Sequence, residues 1–193
     1  MNVARILYPV NVLGPGKRIG IWLAGCKKRC KGCSNPELWH KQLQYEISVN
    51  NLVNLIQTIA VPESIDGFTI SGGEPMDQAE ELYELIVALQ EMSQDILVYS
   101  GYMLEELKTV NNPAIDRVLK KVTVLIDGPY VEDLNENHAL KGSANQRIHI
   151  LDNRYRDSYN AYLENAHNQI QNFPINNGIV SVGIHRKGFT PYT

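Results

Sequence analysis

The chain has 193 residues, 44% of them hydrophobic and 20% charged, with a formal net charge of -3. That length suits one large domain that buries enough core to need no disulfide, and the slight acidity argues against a nucleic-acid protein, whose phosphate contacts require a basic excess. No apolar run approaches the ~20 residues of a membrane span, and residues 1–15 lack the basic start and apolar core of a signal peptide, so a cytoplasmic protein is expected.

In chain order, an apolar segment over residues 3–13 ends at Gly14, Pro15 and Gly16, a turn or loop. Residues 19–23 are short, β-branched and aromatic, the composition of a strand. The next stretch holds all three cysteines, and then Ser34, Asn35 and Pro36 read as the cap and first turn of a short helix. Residues 48–60 carry Leu52, Val53, Leu55, Ile56 and Ile59 at helical spacing. A strand over 67–70 runs into Ser71-Gly72-Gly73-Glu74-Pro75, and a helix over 77–92 buries Leu82, Leu85, Ile86 and Leu89. A strand at 96–99, helices near 103–108 and 113–121, and a strand at 122–126 follow. Four strands thus hand over to polar or glycine-rich loops, a βα repeat that implies a mostly parallel sheet with right-handed crossovers.

Beyond that repeat the pattern loosens. Residues 131–146 read as a long polar loop, 147–151 as one more strand and 154–168 as a polar helix. Two apolar runs, 170–175 and 179–184, flank Asn176, Asn177 and Gly178 and read as a β-hairpin, with Pro174 restricted to an edge.

The chemistry concentrates at Cys26, Cys30 and Cys33, spaced C-x3-C-x2-C. An odd, clustered set of thiols points to metal chemistry in a reducing compartment and away from a disulfide framework. A closed structural zinc site wants four protein ligands, and a [4Fe-4S] cluster held wholly by protein needs four thiolates. Three cysteines can hold three irons of a cubane and leave the fourth open to a small molecule. A zinc knuckle lacking a histidine, or three buried thiols, are the plainer readings, and the scattered histidines offer no ligand spacing. The loop follows a strand directly, at the end where α/β folds bind ligands.

This cysteine spacing, followed one βα unit later by Ser-Gly-Gly-Glu-Pro, resembles the radical S-adenosylmethionine superfamily. The resemblance implies a partial, open (β/α) barrel with a mostly parallel sheet. It implies a [4Fe-4S] cluster on Cys26, Cys30 and Cys33, with S-adenosylmethionine chelating the fourth iron and cleaved reductively to a 5'-deoxyadenosyl radical. Gly72 and Gly73 suit close approach of backbone to a ligand, and Glu74 suits a cationic amine.

A narrower resemblance, to the anaerobic ribonucleoside-triphosphate reductase-activating proteins, spans about residues 8–150. It rests on Tyr8-Pro9-Val10, residues 14–18, the cysteine loop with Trp39, residues 71–75, Tyr99-Ser100-Gly101-Tyr102, Asp127-Gly128 and residues 142–147. It implies that the radical removes hydrogen from a glycine of a partner, an anaerobic ribonucleotide reductase. Gly32, Cys33 and Ser34 would lie along the nucleoside. Ser71, Gly72, Gly73, Glu74 and Pro75 would form the cradle, with Gly73 and Glu74 at the methionyl end. Ser100 and Asp127 would lie nearer the ribose or the outer rim.

Residues 1–152 therefore read as the radical core and 153–193 as a C-terminal extension, a helix plus hairpin packed on it. The extension keeps a second reading open, a small radical enzyme acting directly on a peptide or small molecule. A third, non-catalytic iron-sulfur or zinc protein fits the missing fourth ligand least. Lys17, Arg18, Lys27, Lys28, Arg29 and Lys31 concentrate positive charge near the cysteines, a patch suited to an acidic electron donor such as a flavodoxin or simply to solvated loops beside an anionic cluster.

Overall fold

A computed structural model describes residues 1–60, 65–175 and 178–187. Six strands form one sheet in chain order: β1 (Val3–Val10), β2 (Arg18–Leu23), β3 (Gly67–Gly72), β4 (Ile96–Tyr99), β5 (Val124–Asp127) and β6 (Arg147–Ile150). The four central strands run parallel, while β1 and β6 pair antiparallel at the two edges. The apolar residues before Gly14 thus supply an edge strand. Helices α1 (Val49–Ala60), α2 (Ala79–Leu89), α3 (Leu104–Thr109) and α4 (Pro113–Leu119) fill the crossovers. Proline opens α4, and the Asn112 side chain accepts from the Ala114 N–H, so its first turn is capped as the sequence implies. The helix expected after the cysteines is a single 3-10 turn, Pro36–Leu38, with no side-chain cap bond from Asn35.

Strand periodicity sorts the core into two layers. Ile19, Ile21 and Leu23 of β2, Phe68 and Ile70 of β3, Ile96 and Val98 of β4 and Leu125 of β5 face the buried stripes of α1, α2 and α4. The alternate residues face the other way. Trp22 packs with Val10, Leu13 and Val182, whereas Leu97, Val124 and Ile126 pack with Leu140 and Tyr159. The second layer is supplied largely by the C-terminal segment: α5 (Arg156–Asn165) and the hairpin of β7 (Ile170–Ile175) and β8 (Gly178–Gly183). The expected hairpin and helix are both present. Asn176 and Asn177 of its turn lie outside the described residues. Among the described residues, no helix is long and apolar enough to cross a membrane.

Arg18 ties the sheet together from inside. Its sequence neighbours made it one of a surface patch of cations; its side chain is fully buried. Strand alternation places it on the inner face with Trp22, where the guanidinium donates to Asp95 Oδ2 at 2.6 Å, Thr69 Oγ1 at 2.8 Å and the Phe68 carbonyl at 2.7 Å. Tyr159 of α5 completes the network by donating to the other oxygen of Asp95 at 2.7 Å. A buried charge left without its partner costs about 3–5 kcal/mol, and a single lost hydrogen bond about 1 kcal/mol. Asp95→Ala is therefore expected to lower the unfolding free energy by several-fold more than Tyr159→Phe in urea titrations; equal losses would contradict the central role of this ion pair.

Candidate functional site

The site lies at the carboxyl ends of the parallel strands, and backbone hydrogen bonds build it. The cysteine loop leaves β2 at Leu23, and the N–H groups of Gly25 and Cys26 donate to the carbonyls of Leu38 and Trp39 at 2.8 and 2.9 Å. That closes the loop at its base. The next strand end docks on it: Gly73 N–H donates to Leu23 O at 2.7 Å and Glu74 N–H to Gly25 O at 2.8 Å. A Cβ on Gly73 would stand 2.3 Å from Gly25 O, and one on Gly72 2.3 Å from Leu23 O. The two glycines thus permit the chain to approach itself, a nearer reason for them than approach to a ligand.

Cys26, Cys30 and Cys33 all line one pocket, together with Ser34, and Ser71 to Glu74 face them across it. Ser100 and Gly101 add the end of β4. Gly32 and Pro75 stand outside the lining. Gly32 takes a φ of +72° that turns the loop before Cys33, and Pro75 opens the 3-10 turn that Glu74 caps. Asp127, expected near a ribose or the outer rim, is buried at the end of β5 and away from this lining. Its oxygens accept from the Leu104 N–H at 2.6 Å and from Arg147 at 2.6 and 3.1 Å, and His149 Nε2 lies 3.0 Å away. Burial opposes its charge, but these donors outweigh burial and hold its carboxyl below the ordinary range.

Glu74 is the hub of the glycine side. Only 1% exposed, it accepts from Met76 N–H at 3.0 Å, Ser100 Oγ at 2.9 Å and Gly101 N–H at 2.7 Å. The Ser100 hydroxyl in turn accepts from Tyr102 N–H. A carboxylate offers about four acceptor sites, so one remains without a donor on this pocket-lining residue. Burial pushes its carboxyl up to about 7 despite those three donors.

The thiols suit a thiolate-bound cluster. Burial raises Cys26 and Cys33 above the ordinary thiol range, while the N–H groups of Arg29 and Lys28 at Cys26, and of Asn35 at Cys33, pull the other way. The Asn35 N–H to Cys33 Sγ distance is 3.4 Å. The Trp39 indole N–H is buried with no hydrogen-bond partner of ordinary geometry, and it lies close enough to favour the Cys33 thiolate. Donors already aimed at the sulfurs satisfy thiolates once iron replaces their protons, and such bonds help set cluster potential.

Other lining residues were given no place in the site from the sequence, although Tyr99, Gly142 and Gln146 lie in the motifs that carry the family resemblance. Tyr99 faces inward from β4 because of strand alternation, and Tyr130, Gly142 and Gln146 come from the long polar loop, which folds over the site. Gln146 holds that loop shut, accepting from Gly142 N–H at 2.8 Å and donating to Gly128 O at 2.9 Å. From the hairpin come Ser181 to His185, for which the sequence carries no local signal.

The three thiols line one pocket at the carboxyl ends of the parallel strands, although among the described residues no three such side chains are set closely enough to hold a single metal ion; the iron-sulfur class rests on residues 12–149, which match the family model described as a 4Fe-4S single cluster domain. The chain is 33% identical over 153 residues to the anaerobic ribonucleoside-triphosphate reductase-activating protein of Enterobacteria phage T4, covering 77% of this chain and 93% of the relative. It is 30% identical over 153 residues to the protein of that name in Escherichia coli K12, covering 75% and 96%, and 32% identical over 154 residues to that of Vibrio cholerae, covering 74% and 94%. The chain belongs to the family of anaerobic ribonucleoside-triphosphate reductase-activating proteins.

The raised Glu74 carboxyl has a thermodynamic consequence. Between its ordinary value of 4.5 and about 7 the folded protein holds more protons than the unfolded chain. This group's stabilising contribution is therefore full below the lower value and is lost as pH rises through the upper one. In the cluster-free protein, the melting temperature is expected to fall less from about pH 5 to about pH 8 for Glu74→Gln than for the wild type; parallel curves would refute a raised Glu74 carboxyl.

Proposed function

We propose that this protein is the activating enzyme of an anaerobic ribonucleotide reductase, generating a glycyl radical on it. The observation that carries the reading is the meeting of Cys26, Cys30 and Cys33 with Ser71 to Glu74 and Ser100 in one pocket at the strand ends. When bound there, a [4Fe-4S] cluster supplies the electron that cleaves S-adenosylmethionine, yielding methionine and a 5'-deoxyadenosyl radical that takes a hydrogen atom from a glycine Cα. The protein holds and orients the reactants and keeps water out. Cys26, Cys30 and Cys33 would hold the cluster through three of its irons. The remaining acceptor site of Glu74 would take the methionyl ammonium, a cation that would hold its carboxylate ionised. Ser34 and Ser100 lie along the nucleoside, with Gly32 fixing the backbone turn before Cys33. Ser71, Gly72 and Gly73 form the cradle, and Pro75 holds its end in the capped turn.

The relatives' names favour a protein partner over a small substrate. The parallel strands belong, in this reading, to a partial radical-enzyme barrel. Residues 1–152 form its core and 153–193 a C-terminal extension whose described residues cover its inner face, and the protein works in the cytoplasm. Arg147 and Leu104 employ Asp127 as a brace for the rim rather than as a contact to the ribose.

The electron donor is an acidic protein such as a flavodoxin. Arg18 is withdrawn from the surface patch, but the Lys27 and Lys31 side chains are 83% and 88% exposed and extend from the cluster loop. Their nearest carboxylates, Asp77 at 3.9 Å and Glu132 at 3.5 Å, lie at the long end of ion-pair distance, and the ammonium groups stay in solvent, so the pairs are weak.

Anaerobically reconstituted protein, given reductant and S-adenosylmethionine, is expected to form 5'-deoxyadenosine and to leave a persistent glycyl radical signal on a co-incubated reductase. Cys30→Ala should abolish both; deoxyadenosine formed at the expense of a small substrate, with no protein radical, would overturn the assignment. For the donor, Lys27→Glu combined with Lys31→Glu should slow cluster reduction by flavodoxin roughly tenfold at low ionic strength, with the difference shrinking as salt screens it. A rate indifferent to both charge and salt would rule out docking on this loop.

A further inference from the structure

The hairpin places a strand edge against the pocket. Ser181, Val182 and Gly183 of β8, with Ile184 and His185 just past its end, line it. Neighbouring side chains of a strand point to opposite faces, so three consecutive strand residues reach one cavity when it runs along the strand's edge. Strand β7 occupies one edge of β8, and among the described residues β8 has no other ladder partner.

Pro174 reveals which groups that edge presents. It pairs with Ile179 in the antiparallel ladder. Having no N–H, proline fits a ladder where its nitrogen points away from the partner strand. In antiparallel pairs this outward orientation recurs at every second residue. The pairs Asn172 with Ser181 and Ile170 with Gly183 therefore also turn their N–H and C=O groups outward. Ser181 Oγ donates across to Asn172 Oδ1 at 2.7 Å, as suits the closer side chains of such a pair, and Gly183, with a φ of +133°, lets the strand pass Gln169 O of the neighbouring segment, which a Cβ would meet at 2.2 Å.

The edge is also held still. The Val182 side chain is buried against Val10, Leu13 and Trp22. Gln171 of β7 accepts from Asn11 N–H at 2.9 Å and donates to Pro9 O at 2.7 Å. Past the strand end, Asn135 donates to His185 O at 3.0 Å and accepts from Lys187 N–H at 2.8 Å. A rigid strand with outward N–H and C=O groups beside a pocket is a template for an added strand, in which main-chain bonds supply affinity.

We propose that the outward edge of β8 at Ser181 and Gly183 receives the backbone of the partner's glycine-bearing segment as an added strand and so guides that glycine into the pocket. This rests on the activating reading above. It gives the extension a role in choosing the substrate: an extended peptide segment binds, and a folded or small molecule does not satisfy the edge.

The experiment uses the cluster-loaded protein and a synthetic peptide spanning the glycine of the reductase. Amide-resolved hydrogen exchange is expected to slow at Ser181 and Gly183 on peptide addition, while Val182, already bonded to β7, changes little. In radical-transfer kinetics, Ser181→Pro, which removes one outward N–H just as Pro174 lacks one, is expected to raise KM for the reductase about tenfold, the scale of one backbone hydrogen bond. Ser181→Ala, which keeps the N–H, should restore the wild-type KM. Unchanged exchange in a protein that does form the glycyl radical, or a wild-type KM for Ser181→Pro, overturns the edge proposal alone. Absence of S-adenosylmethionine cleavage by the wild type overturns the activating reading, and the edge proposal with it.

Discussion

A fully buried guanidinium is the constraint on which the sheet depends. Arg18 has no water to turn to, so its donors must be met by protein, and the groups that meet them come from β3, from the segment entering β4 and, through Asp95, from α5. Each acceptor fixes the position of its own element relative to β2. Burying such a pair adds little net stability against an apolar substitute; what it supplies here is a set of directional restraints at the amino ends of the parallel strands. Tyr159 extends the restraint to the C-terminal segment, which is thereby built into the core.

At the opposite ends of the same strands, backbone meets backbone. The contact of Gly73 and Glu74 with Leu23 and Gly25 brings the cysteine loop and the glycine loop together with no side chain between them. Closeness has an electrostatic cost, since Glu74 is enclosed as a carboxyl that prefers its proton near neutrality. Three donors steady it without satisfying it fully. A buried carboxyl left one donor short, beside thiols of which Cys26 and Cys33 have backbone N–H groups near their sulfurs, suits a cationic ligand and an anionic cluster. Rigid ends below and a tight clasp above leave the pocket as the place where the sheet's polar demands are unfinished.

The C-terminal segment serves both levels. Helix α5 covers Leu97, Val124 and Ile126, while the hairpin covers Trp22 and Leu13 and continues into the wall of the pocket. Core burial and access to the site are therefore governed by one stretch of chain that lies past the end of the matched family model at residue 149.

The sequence by itself determined the alternation of strands and helices, because hydrophobic periodicity reports which face of each element is buried. It also determined the metal chemistry, since three clustered cysteines and a Ser-Gly-Gly-Glu-Pro turn are local in the chain. Other features depended on which residues meet across long separations. Arg18 reads as one cation among several beside a glycine turn, and only its place on the inner face of β2 makes it a core residue. Asp127 reads as a strand-end carboxylate like those that bind ligands, yet Arg147 and the start of α3 claim it. The reach of Ser181 to His185 into the pocket was decided by tertiary structure alone, because the hairpin's direction over the sheet is set by the packing of Val182 on Val10, Leu13 and Trp22 and by the bond of Tyr159 to Asp95, contacts between distant parts of the chain that no local pattern encodes.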